Sequence, residues 1–228
     1  LLLALSLVFV ACNGAKEQNP ASTDELTEQE VGSDQDAATE QDEAQSEFSW
    51  KAYFIGREAE QISLLVNGAA EDFRGPLLVN LTEEQAKAAA DYKLGDSLEI
   101  VHDGAMMMSY PGQINAQSIK LLSGEEALPQ LVKMDINEML QAVPVFADQA
   151  KLFVIDAKLD AVPQLANASE LSEAEVEAKA EELKDSETVI LLCADTAEAS
   201  AAAAEKFSAA GAPLVIDLGA VSEIEVQK

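Results

Sequence analysis

Apolar runs recur along residues 48–123, at 52–55, 62–66, 77–79, 97–101 and 114–122. Asn67-Gly68, Gly75-Pro76, Asp103-Gly104 and Pro111-Gly112 break them, and such punctuation predicts short strands joined by turns. Within 97–101 the apolar positions alternate in part, with Leu98 and Ile100 on one face. One helix is predicted over 82–90, because Thr82-x-x-Gln85 has the spacing of a capping box. About five strands and one helix suggest a small, partly open β-barrel.

The rhythm changes over 125–228. Continuous apolar runs at 152–155, 189–192 and 214–216 suit parallel strands covered on both faces. Between them lie a helix over 172–184, opened by Ser172-Glu-Ala-Glu175, and another over 197–210. Gly211 and Pro213 end the latter. A short helix over 135–141 precedes the first of these strands, and the whole follows βαβ logic. The expected architecture is multidomain: a small, partly open β-barrel over 48–123, then an α/β three-layer domain over 125–228.

Residues 1–11 are apolar or small without interruption, and Cys12 follows. The run is too short to span a bilayer, which needs about 20 residues. It fits the apolar region of a secretory signal, with the recorded sequence beginning inside it. A buried N-terminal strand or helix is the alternative. Residues 13–47 carry eleven Asp/Glu and one Lys with little to bury, which predicts a disordered acidic linker.

Charge narrows the function classes. The 228 residues hold 14 Lys+Arg against 42 Asp+Glu, a net charge of −28. Such a chain is expected to repel phosphate backbones, so nucleic acid is expected not to be a partner. Residues 49–123 hold six Lys/Arg and ten Asp/Glu, and Trp50, Tyr53, Phe54, Phe73 and Tyr110 are read as core and turn residues. One histidine and two cysteines cannot build a His/Cys zinc cage. Met106, Met107 and Met108 alternate in direction along a strand, so no soft-metal site is expected, and neither is a cofactor. His102 is read as an exposed loop histidine beside a turn, and Tyr110-Pro111 as a candidate cis bond. No dinucleotide, P-loop or nucleophile-elbow motif occurs.

Three resemblances add to this reading. Val10-Ala11-Cys12 resembles the lipobox of bacterial lipoproteins, with Phe9 where Leu is commoner. This implies cleavage before Cys12, a diacylglyceryl group on its sulfur, and anchoring in a lipid bilayer on the extracytoplasmic face. Leu94-Gly95-Asp96-Ser97-Leu98-Glu99-Ile100 with Ser109-Tyr110-Pro111-Gly112-Gln113 resembles an uncharacterised family of OB-like domains in secreted and lipid-anchored Gram-positive proteins. That likeness spans about 70 residues and implies fold rather than chemistry.

The order of parts over 125–228 resembles a rhodanese-like domain. Asp156-Ala157-Lys158 stands at the family's first strand end, 162–168 follow it, and a later strand ends at Cys193. The segment between Lys158 and Val162 is shorter than in the family. The resemblance implies Cys193 as persulfide carrier, with the loop of Ala194, Asp195, Thr196, Ala197 and Glu198 as an anion nest. Family loops carry arginine where this chain has Ala194 and Glu198, and Asp195 adds another negative charge. These carboxylates are expected to disfavour a thiolate, and arginines at 194 and 198 to restore it. Three readings of Cys193 stay open: a small core hydrophobe, a sulfurtransferase nucleophile, or other thiol chemistry. The expected function is a lipid-anchored envelope protein whose degenerate α/β domain binds or scaffolds, with an unknown envelope protein or a small sulfur-containing ligand as partner. A rhodanese-like sulfurtransferase is the alternative.

Overall fold

The computed structural model describes residues 48–58, 60–66, 73–107, 109–146, 148–157, 165 and 167–225. The signal-like run, Cys12 and the acidic stretch to residue 47 lie outside the described residues, as do Asn67-Gly68, Met108 and 158–164.

The spine of the first sheet is β1 (Phe48–Glu58). Its first half pairs antiparallel with β4 (Ser97–His102), Phe48 lying opposite His102. Its second half pairs with β2 (Gln61–Val66), and the register shifts between Phe54 and Gly56. An irregularity of this kind bends a strand, so β1 serves both halves of the sheet. Next to β2 lies β3 (Gly75–Asn80), followed in sequence by α1 (Glu83–Ala88). The predicted capping box forms: Gln85 N donates to Thr82 Oγ1 and Thr82 N to Gln85 Oε1, at 3.3 and 2.8 Å.

The run over 114–122, read as one strand, is two. β5 (Gly112–Asn115) lies parallel to β3, and β6 (Ser118–Leu121) antiparallel to β4. Between them Ala116 N donates to Asn80 O and Gln117 N to Val101 O, so the chain changes partner there. The sheet order is β5-β3-β2-β1-β4-β6. Its two edge strands are only two residues apart in sequence, which requires the sheet to curl round.

The second sheet is parallel throughout: β7 (Leu131–Lys133), β11 (Val215–Ala220), β10 (Val189–Ala194), β8 (Ala150–Ile155) and β9 (Ser169–Leu171), in that spatial order. The predicted inner strands are present. The edge strands β7 and β9, three residues each, are too short to show a period. Helices α2 (Ile136–Ala142), α3 (Glu173–Leu183) and α4 (Ala197–Ala210) complete this half. Gly211 ends α4 with φ 100°, a left-handed conformation that glycine adopts without a Cβ clash.

The two faces of this sheet are covered differently. Ile190, Leu192 and Val215 pack against Val176, Ala180, Ala203 and Phe207 of α3 and α4. On the other face Leu191 and Ile216 share a cluster with Met139 of α2 and with Tyr53, Ile55 and Leu65 of the first sheet. The third layer is therefore partly the outer face of β1 and β2. Their alternate residues, Trp50, Ala52, Phe54 and Leu64, fill the first sheet's own core. Tyr53 fastens the contact, its hydroxyl donating to Pro129 O at 2.7 Å. Among the described residues no helix is long and apolar enough to cross a membrane.

Candidate functional site

Cys193 lies within β10 and not beyond its end. It pairs in register with Val154 of β8, and Ala194 continues the strand. Strand alternation turns its side chain toward the face packed on the first sheet, among Tyr53, Val154, Leu191 and Leu218. The residue is 0% exposed, and Sγ donates only weakly, to Phe153 O at 3.8 Å. Burial, with a lesser contribution from the Asp217 carboxylate, pushes the thiol pKa up to about 12. At pH 7 about one thiol in 100,000 would then be ionised.

The loop after it differs from the expectation in two respects. The Asp195 and Glu198 side chains are exposed, and the charge acting on Cys193 is that of Asp217. The expected anion nest also spends its groups elsewhere. Ala194 is buried against the α3–α4 cluster, and Asp195 N donates to Ile155 O at 3.3 Å. Thr196 caps α4, its Oγ1 accepting from Ala199 N at 3.2 Å. The first helical residues, Ala197 and Glu198, follow on the opposite side of the sheet from the thiol.

Behind this loop sits a polar pair that sequence reading missed. Ser200 Oγ lies 2.5 Å from Asp217 Oδ1 and 3.1 Å from Leu192 O, all buried. Gly219 N donates to the same carboxylate oxygen at 3.0 Å, and φ 77° at Gly219 turns that amide back onto it. The carboxylate lies at the first turn of a 14-residue helix, where the dipole favours negative charge. The available signal was an acid within an apolar strand run and a serine flanked by alanines in the first turn of α4. At the end of β8, Asp156 adopts φ 49° and its Oδ2 accepts from Glu173 N at 3.2 Å, so it serves the start of α3.

In the first sheet His102 is corrected from an exposed loop residue to the last residue of β4, 1% exposed. Leu98, Ile100 and His102 form one inward row, because Phe48 extends the pairing to position 102. Its Nδ1 accepts from Gly104 N at 3.1 Å, and Nε2 has no hydrogen-bond partner. Trp50, itself stacked on Phe73 at 5.3 Å between centroids, flanks the imidazole. Met106 packs on this core and Met107 is 53% exposed, and neither lies in a strand as expected, Met107 making only an isolated bridge to Gln113. Tyr110-Pro111 is cis.

Neither a protein-family model nor a curated protein matches the chain. Among solved structures, Bacillus subtilis YobA is 16% identical over 42% of this chain and 94% of its own, with a TM-score of 0.29. A mitochondrial single-stranded DNA-binding protein from S. cerevisiae is 15% identical over 35% of this chain and 96% of its own, with a TM-score of 0.27. A second structure of it is 18% identical, covering 35% and 95%, at 0.25. The likeness is to OB-like folds, over part of the chain. It corrects the expectation that nucleic acid is ruled out, since these neighbours include DNA-binding proteins. The physical reason is that net charge sums the whole chain, whereas binding depends on the charge of one local surface.

Proposed function

We propose that this chain is an envelope lipoprotein, anchored through Cys12 on the extracytoplasmic face, whose α/β half is a non-catalytic binding or scaffold module. The anchor rests on the apolar run that ends in Val10-Ala11-Cys12, and the Gram-positive setting on the resemblance of the first unit. The observation that carries the non-catalytic reading is the burial of Cys193 on the face of β10 turned away from α4. A persulfide carrier needs an accessible sulfur and amides free to hold its charge. Here the thiol has no exposed surface, and the Asp195 amide is used in the sheet.

The test is a thiosulfate-to-cyanide transfer assay on the full chain, with Cys193→Ala as control. Equal background rates are expected from both. Turnover lost in the variant would sink the reading in favour of a rhodanese-like sulfurtransferase. The anchor is tested separately: protein from a secreting host should partition into detergent, and Cys12→Ser should move to the aqueous phase.

A further inference from the structure

At the seam between the two sheets lies a cavity of about 250 Å³. Buried Met134 and Leu218 contribute apolar lining. Met134 directly follows β7, and Leu218 lies near the carboxyl end of β11. The cavity therefore lies beside the carboxyl ends of two adjacent parallel strands. Arg74, which leads into β3 of the first sheet, and Lys133, the last residue of β7, bring positive charge to it. Asp135, Glu138 and Glu223 bring negative charge.

The two cations are unusual in this chain, which has 14 against 42 acids. The four ion pairs among the described residues use Lys87, Lys120, Lys179 and Lys184, leaving Arg74 and Lys133 unpaired there. A carboxylate ligand would meet a guanidinium able to hold it with two charge-assisted hydrogen bonds. A simple anion would also meet three carboxylates, which repel it and accept an ammonium group instead. The volume falls below the roughly 300–1,000 Å³ typical of drug-sized ligands, so one small molecule fits.

We infer that the seam cavity binds a small zwitterion, an α-amino acid with an apolar side chain. Its carboxylate meets Arg74 and Lys133, its ammonium meets the acidic lining, and its side chain lies on Met134 and Leu218. This rests on the binding-module reading and names a ligand class for it.

The experiment is isothermal titration of the full chain with L-leucine and two relatives that each lack one charge, 4-methylpentanoate and 3-methylbutylamine. L-Leucine should bind, and each relative at least tenfold more weakly. Arg74→Ala with Lys133→Ala should weaken L-leucine at least tenfold, and Glu223→Gln severalfold, at unchanged unfolding temperature. All three positions are exposed, so folding is not expected to confound the result. No binding of L-leucine, equal binding of 4-methylpentanoate, or indifference to the double variant would overturn the inference. The sulfur-transfer assay on the same preparation separates the two readings. Transfer through Cys193 would overturn the non-catalytic reading alone, and failure of L-leucine without transfer would overturn this inference alone.

Discussion

Trp50 and His102, the chain's sole tryptophan and sole histidine, lie with ring centroids 4.2 Å apart, tilted by 54°. Phe48 also lies against the imidazole, at 5.7 Å between centroids. With Nδ1 accepting from Gly104 N, the neutral ring carries its proton on Nε2, enclosed by aromatic surface. Burial lowers the His102 pKa below the ordinary value near 6.5, and the Asp103 carboxylate opposes this in part.

The sign of the pH dependence follows. The unfolded chain takes up a proton near pH 6.5 while the folded chain resists, so stability from the buried neutral ring is complete above that pH. It is lost as pH falls through the lower, folded-state value. Titrating the single histidine by NMR should give a midpoint below 6.5, and Trp50 fluorescence should change over the same interval. His102→Phe keeps a ring and removes the proton site, so the difference in stability between wild type and variant should grow with acidity below pH 6.5. A midpoint at or above 6.5 would contradict the burial.

Cys193 should resist iodoacetamide from pH 7 to 9 in the native protein and react at once in denaturant. Because Glu198 is exposed and Cys193 faces the other side of the sheet, Glu198→Arg should leave alkylation unchanged, reversing the expectation from loop charge. Ala194→Arg should destabilise the protein outright, since Ala194 is 0% exposed against the helices. Rapid native alkylation would refute this placement.

The Ser200–Asp217 pair should couple α4 to β11. Ser200→Ala leaves the carboxylate short of a donor and should cost about 1–3 kcal/mol, read from urea denaturation. Combined with Asp217→Asn, the double-mutant cycle should show a coupling of about 0.5–3 kcal/mol. Additive effects would mean that the hydroxyl and carboxylate do not interact in solution.

Tyr53 should link the stability of the two sheets. Tyr53→Phe removes the bond to Pro129 O and should cost about 1 kcal/mol. Tyr53→Ala opens a cavity in the shared cluster and should cost about 3–5 kcal/mol. Amide exchange should accelerate in both β1 and β10. A change confined to β1 would argue against a shared core.

What the sequence determined by itself was local. The Thr82–Gln85 and Ser172–Glu175 capping boxes, the stop at Gly211 and the apolar strand runs each depend on neighbours a few residues away. They were legible because the groups that satisfy them lie in the same short window. The faces of the strands were not. In β10 every residue from Val189 to Ala194 is buried, so no alternation marks which side Cys193 takes. Only the packing of Tyr53 and Leu65 on that sheet decided it. The same holds for His102, which a turn signal placed in solvent and which pairing with Phe48, 54 positions away, drew into the core. The Ser200–Asp217 pair also spans two elements, and a buried polar group becomes meaningful only beside the partner that satisfies it.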